Sequence, residues 1–282
     1  MALFLLTALT MVAFAANSIL TRAAVDGAGM DPLGFALLRV ASGAAVLAVL
    51  VILRGRGWGW SRRRLSGAFW LAVYMVGFSA AYVTLDAGLG ALILFGGVQL
   101  TMFGGGLLTG ASVPARAWAG MVLALAGLAW LLWPGPGVVV APAATGCMLA
   151  GALGWGIYSL KGRVEADALA ATAGNFLVCL PMVALVVALT GWGAMPMRGL
   201  LLALVSGGVT SGLGYALWYR LLPRLAPSTA AVAQLSAPVI AVIGGAALLA
   251  EPVTARILLA GALVLGGIAV ATVQRRSGSS GS

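Results

Sequence analysis

The chain has 282 residues, of which 62% are apolar and 8% charged, whereas soluble domains carry about a quarter charged residues, so its solvent is lipid. A formal charge of +10 would point a soluble protein toward nucleic acid. Here the basic residues lie between stretches long enough to span a bilayer, and no nucleic-acid partner is expected. The absence of any histidine excludes His-dependent zinc sites, histidine-ligated haem and Ser-His-Asp catalysis, and neither G-x-S-x-G nor a phosphate-binding G-x-x-x-x-G-K-[ST] occurs.

A span needs roughly 20 apolar residues. Cutting at the Arg, Asp, Pro and Gly clusters predicts ten helices, at 2–22, 31–53, 66–86, 88–109, 115–133, 142–160, 168–190, 198–219, 226–249 and 255–273. Helical lengths throughout, with no in-out alternation, argue against a β-barrel. The expected class is an all-α membrane protein. Span 1 lacks a basic n-region and is read as a retained helix rather than a signal peptide. Residues 277–282, Ser-Gly-Ser-Ser-Gly-Ser, read as a scar or linker left from expression. Cys147 and Cys179 lie within apolar spans and are expected to be free, buried thiols.

The basic residues sort by side. The loops after even-numbered spans and the C-terminus hold Arg54, Arg56, Arg62, Arg63, Arg64, Arg116, Lys161, Arg163, Arg220, Arg224, Arg275 and Arg276, twelve in all, against Arg22, Arg198 and Arg256 on the other face. This bias puts both termini in the cytoplasm. An Arg-rich, Ala- and Gly-rich composition fits a bacterial gene, and the expected location is the bacterial cytoplasmic (inner) membrane.

The second half repeats the first. A shift of 140 positions puts Gly104-Gly105 on Gly244-Gly245, Ala115-Arg116 on Ala255-Arg256, and Leu123, Leu125 and Gly127 on Leu263, Leu265 and Gly267. Five spans per repeat is an odd number, which inverts one copy relative to the other. Inverted repeats are typical of carriers that alternate access to a site between the halves. The repeats are taken as residues 1–134 and 140–276.

Helix interruptions at corresponding places mark a carrier's site. Gly96 and Gly97 in span 4 align with Ser236-Ala237 in span 9, followed by Pro238, which predicts breaks in both helices near Gln99 and Gln234. Tyr74, Phe78 and Tyr82 form an i, i+4, i+8 stripe on span 3. Ser211, Tyr215, Trp218 and Tyr219 share a stripe on span 8, and Trp155 and Tyr158 are i, i+3 on span 6. Headgroup belts account for Trp58, Trp60, Trp133 and Trp192. The deeper rings Tyr82, Trp155, Tyr158, Tyr215 and Trp218 are candidates for a cavity, with Asn17 and Ser79 as polar partners.

Arg39 is the fully charged side chain inside a predicted span, so it is functional or firmly paired. It either holds a loop carbonyl, Asp31 or Asp86, or binds a substrate carboxylate; with Glu251 it is a candidate gating or structural charge. Asn175 is read as a packing hydrogen bond, and Pro181 as a kink. Acids fall at span ends and loops, which favours a facilitator or exchanger over a proton antiporter. No catalytic residue set, metal site or cofactor is expected. The partners are a small-molecule substrate and membrane lipid, and ten spans suffice for a monomer to enclose a path.

Phe14-Ala-Ala-Asn17 followed by Asp31-Pro32 and Leu38-Arg39, and Tyr215-Ala-Leu-Trp-Tyr219 through Ala237-Pro238 to Glu251-Pro-Val-Thr254 and Gly261, resemble the opening and close of EamA repeats of the drug/metabolite transporter superfamily. The glutamate that usually opens the last loop is Glu251, whereas the first repeat has Ala111-Ser112 at the aligned place. Within the superfamily the chain most resembles YddG-type exporters of aromatic and other amino acids. The resemblance implies ten helices in two inverted five-helix repeats, and efflux of amino acids or similar small metabolites through a central cavity by alternating access. A drug or quaternary-amine exporter of the same superfamily is the alternative reading. A channel is more remote, since channels favour rings of like residues from symmetric subunits.

Overall fold

The computed structural model describes residues 1–55, 57, 61–108, 114–133, 141–162, 165–221, 224–225 and 233–272. Trp58, Trp60, Arg56, Arg163, Gly110, Ala111, Ser112, Arg275, Arg276 and the tail 277–282 lie outside the described residues.

All regular structure among the described residues is helical. The helices are α1 (Ala2–Val25), α2 (Pro32–Leu53), α3 (Arg63–Ala81), α4 (Ala87–Leu108), α5 (Ala115–Leu132), α6 (Pro142–Gly162), α7 (Ala168–Thr190), α8 (Met197–Leu221), α9 (Ser236–Leu249) and α10 (Ala255–Thr272). The first eight are long and apolar enough to cross a membrane, and α9 and α10 are shorter apolar helices. Hydrocarbon offers backbone groups no partners, so helices that satisfy their own N–H and C=O groups are the form such segments take. Local chemistry sets the ends: Asp31 caps α2 by accepting from the Gly34 amide, with Pro32 at the first helical position, and Asp167 caps α7 by accepting from Ala170. Lipid-sized side chains such as Phe4, Leu9, Ile52, Leu185, Leu189 and Ile243 point outward, while Leu47, Leu71, Phe78, Met148 and Phe176 are buried between helices.

The helices pair in a pattern with internal symmetry. α5 packs along α10, α2 on α7 and α4 on α9; α3 contacts α6 and α7, α4 contacts α6, α1 contacts α8 and α9, and α2 contacts α8. When α1–α5 are exchanged for α6–α10, these pairs return to themselves: α3 on α6 becomes α8 on α1, α3 on α7 becomes α8 on α2, and α4 on α6 becomes α9 on α1. The α5–α10 contact repeats this at residue level. A β-carbon on Gly267 would stand 2.5 Å from the Ala124 nitrogen, and one on Gly127 would stand 3.0 Å from the Val264 nitrogen. These two contacts interchange under the 140-residue shift.

One of the two expected breaks is absent. α4 runs unbroken through Gly96 and Gly97. The glycines there serve packing: a β-carbon on Gly97 would lie 2.7 Å from that of Ala152 on α6, and one on Gly96 would lie 3.4 Å from Val264 on α10. The ninth span is interrupted: Ala233 and Gln234 are helical, Leu235 is a turn, and the regular helix runs from Ser236, so Pro238 occupies its first turn, where a missing N–H leaves no bond unmade. The irregular helix is α8, which carries a π-helical segment over Ser206–Leu213.

The tight α5–α10 seam gives a stability prediction. A β-carbon on Gly267 would lie 2.5 Å from the Gly120 carbonyl oxygen as well as from Ala124. Gly267→Ala is expected to cost about 1–3 kcal/mol by forcing two backbones apart, read as a lower midpoint of thermal unfolding in detergent; an unchanged midpoint would show that the seam is looser than described.

Candidate functional site

The π segment of α8 organises the centre of the bundle. Its sequence, Ser-Gly-Gly-Val-Thr-Ser-Gly-Leu, is small and polar, and the wider turn brings Ser206, Thr210 and Ser211 toward α1 and α2. Gly207 allows it: a β-carbon there would overlap the Arg39 carbonyl and the Ser42 hydroxyl, so α2 and α8 meet backbone to backbone. The Asn17 Oδ1 accepts from Ser206 Oγ at 2.9 Å, Thr210 Oγ1 at 2.6 Å and Ser211 Oγ at 3.2 Å, all buried.

Beside this cluster lies Arg39, fully buried. Its Nε donates to Ser211 Oγ at 2.9 Å, and its Nη2 donates to Tyr74 Oη at 3.0 Å and Tyr215 Oη at 3.1 Å. The two tyrosine hydroxyls are 3.3 Å apart. The guanidinium carbon stands 5.3 Å from the Tyr74 ring centre and 4.9 Å from that of Phe78. The sequence left open a loop carbonyl, Asp31 or Asp86 as structural partners for Arg39. Its partners are instead three hydroxyls on α3 and α8, because Asp31 is taken by the start of α2 and Asp86 pairs with Arg22.

The predicted rings meet here. Trp155 lies 4.7 Å from Tyr215, 5.0 Å from Tyr74 and 5.6 Å from Tyr158 between ring centres. Phe14 on α1 sits edge-on to Trp155, Tyr215 and Trp218 at 6.1, 5.7 and 5.8 Å. The α3 stripe continues the stack from Tyr74 through Phe78 to Tyr82, at 5.2 and 4.9 Å. Tyr82, Trp155, Tyr158, Tyr215 and Trp218 are all buried, and Trp133 and Trp192 are exposed, as a headgroup position requires. The sequence marks Phe14 only through the Phe14-Ala-Ala-Asn17 motif; its i, i+3 relation to Asn17 on α1 is the signal available for its place among the rings.

The remaining candidates stand apart from this cluster. Ser79 is buried, and its hydroxyl has no partner among the described residues. Gln99 is buried on α4, and Gln234 is half-buried ahead of α9; no contact joins either to the rings or to Arg39 among the described residues.

Glu251 belongs to a second cluster at the end of the bundle where α1, α4 and α9 meet. Its Oε1 accepts from the Ala87 amide at 2.7 Å and its Oε2 from the Gly88 amide at 3.4 Å, capping the N-terminus of α4. A left-handed Ala250 (φ 54°, ψ 30°) turns the chain so that the Glu251 side chain folds back over Gly245, while its own amide donates to the Gly245 carbonyl. Arg22 completes the knot. It pairs with Asp26 at 3.2 Å, Asp86 at 3.6 Å and Glu251 at 3.8 Å, and donates to the carbonyls of Tyr82 and Val83. Burial raises the Asp86 carboxyl above its ordinary range against the pull of Arg22. It raises Glu251 likewise, against the Ala87 N–H.

The comparisons with known proteins fit this geometry. The EamA-like transporter family matches residues 144–273. Uncharacterized protein PA1977 of Pseudomonas aeruginosa is 48% identical over 274 residues, covering 96% of this chain and 94% of its own. The chain belongs to the EamA-like transporter family. A solved crystal structure matches with a TM-score of 0.69 over 95% of each chain at 22% identity, which shows a shared fold. This EamA-like chain is thus a multi-pass membrane protein of the drug/metabolite transporter superfamily, and its family is one of transporters rather than enzymes.

Two measurements test the clusters. Asn17→Ala removes the shared acceptor of three buried hydroxyls and is expected to lower stability by about 1–3 kcal/mol, seen as a reduced thermal midpoint, whereas Asn17→Asp, which keeps an acceptor, should lose less. Because Asp86 and Glu251 hold protons more tightly in the assembled cluster than in water, the cluster is firmest below the ordinary carboxylate range. It loosens as pH rises from about 4 through the raised values. Glu251→Gln should flatten the pH dependence of thermal stability, and a variant with the wild-type profile would show that Glu251 does not contribute to it.

Proposed function

We propose that this transporter moves amino acids, aromatic ones among them, or similar small metabolites out of the bacterial cytoplasm, by alternating access through a central site between two inverted five-helix repeats. One observation carries the reading: the rings and polar groups of α1, α2, α3, α6, α7 and α8 converge on Arg39, with Tyr74 and Tyr215 sharing it from opposite halves. Those tyrosines are 141 positions apart, close to the 140-residue repeat, which fits a site on the pseudo-symmetry axis. The self-mapping helix pairs and the Gly127 and Gly267 contacts support the inverted arrangement of residues 1–134 and 140–276. Twelve basic residues against three support cytoplasmic termini and the inner membrane.

In this reading the Arg22–Glu251 cluster closes the outer end, tying α9 to the N-terminus of α4. The first repeat has Ala111-Ser112 in place of the matching glutamate, so the cytoplasmic end lacks an equivalent carboxylate. Gln99, Gln234 and the first turn of α9 around Pro238 would line the path below the rings. A cationic-drug exporter is disfavoured by the positive charge of Arg39 at the centre.

Purified protein in liposomes is expected to show saturable amino-acid flux, and Trp155→Ala should reduce it at least tenfold, with roughly 1.4 kcal/mol or more of lost ring contact. Gln99→Ala and Gln234→Ala should lower flux without loss of folded protein. Flux that never saturates would favour a channel, and no flux of any amino acid would remove the substrate assignment.

A further inference from the structure

Arg39 carries a full charge into the membrane interior without an acid to neutralise it. A guanidinium keeps its proton in proteins. All six acids of the chain are among the described residues, and each is engaged elsewhere: Asp26, Asp86 and Glu251 with Arg22, Glu165 with Arg64, and Asp31 and Asp167 at the starts of α2 and α7. What surrounds Arg39 is neutral. Ser211, Tyr74 and Tyr215 satisfy Nε and Nη2, the faces of Tyr74 and Phe78 lie alongside, and Nη1 has no partner among the described residues. Hydroxyls and ring faces solvate a cation without cancelling it, and an unneutralised buried ion costs several kcal/mol. A bridge between α2, α3 and α8 made for packing alone would be served by a neutral amide at lower cost.

We propose that Arg39 is the receptor for a carboxylate on the cargo, and that the class of substrate is an organic acid whose carboxylate is joined to a flat apolar group. This rests on the transport reading and narrows it. Nη1 keeps both of its N–H donors for a carboxylate, and Nη2 could join it in a fork by giving up Tyr74 or Tyr215; the rings of Phe14 and Trp155, packed on Tyr215, provide the stacking wall. An α-ammonium has no matching group. No acid stands at the node, and the Asn17 side-chain oxygen there already accepts from three hydroxyls. The amino group of an amino acid is therefore tolerated rather than recognised.

The test compares three probes on the full chain in detergent by ligand-dependent thermal stabilisation: phenylalanine, 3-phenylpropionate, which lacks the ammonium, and phenylalaninamide, which lacks the carboxylate. The two acids are expected to bind with apparent affinities within about threefold of each other, and the amide at least tenfold more weakly, the scale of one charge-assisted hydrogen bond. Arg39→Gln should bring acid and amide within about twofold. Equal binding of acid and amide by the wild type, no binding of any probe, or an Arg39→Gln variant that keeps the preference overturns the assignment. Where Arg39→Gln does not elute as folded protein, the wild-type comparison decides alone. Stabilisation by the acids with no saturable flux in liposomes would sink the transport reading and leave the carboxylate receptor standing.

Discussion

Hydrocarbon gives a polar group nothing to bond to, and the polar side chains at the centre of this bundle are gathered by that constraint. Asn17, Ser206, Thr210, Ser211, Tyr74, Tyr215 and Arg39 lie in one connected cluster because none could be left alone at that depth. The π segment of α8 follows from the same demand. A regular α-helix turns its side chains by a fixed angle, and the wider turns over Ser206–Leu213 face three hydroxyls toward α1 and α2 together. Gly207 then permits the backbone approach that lets Arg39 reach Ser211.

The two clusters differ in their chemistry. At the centre, polar groups are buried among rings and held by hydroxyls, an arrangement that can exchange one hydrogen-bond partner for another without moving charge. At the end formed by α1, α4 and α9, the contacts are ionic and tie helix termini: Arg22 gathers three carboxylates, and Glu251 caps α4. Ionic contacts at a helix end are strong when dry and weak when wet. Such a contact suits a closure that must open to water, whereas the hydroxyl-bound centre suits recognition. In the proposed arrangement of two repeats the halves would be unequal in this respect, because the 140-residue shift puts Ala111-Ser112 at the place of Glu251.

Periodicity and charge made most of the helices legible, because lipid imposes a length on any segment that crosses it. The aromatic stripe Tyr74-Phe78-Tyr82 was legible for the same reason, as a helix fixes which residues share a face. The break at Gly96-Gly97 was misjudged. Glycine in a membrane helix marks either weakness or close packing, and only the neighbour decides; here it is Ala152 on α6. The π segment was missed, although its run of serine, threonine and glycine was in view, since the preference for a wide turn arises from Asn17 and Arg39 on other helices. Gln99 and Gln234, each within about a turn of a predicted break, are not joined to the central rings among the described residues.

By itself the sequence determined that the chain spans a membrane, that it does so as an all-helical bundle, and where most of its helices lie. These are properties of composition and spacing, and lipid reads them one helix at a time. Only the tertiary structure decided that Arg39 answers to Ser211, Tyr74 and Tyr215 instead of an aspartate, that Phe14 joins the rings, and that Glu251 caps α4. Each of those pairs residues far apart in the chain, and such pairings are fixed by how helices cross rather than by what any one helix contains.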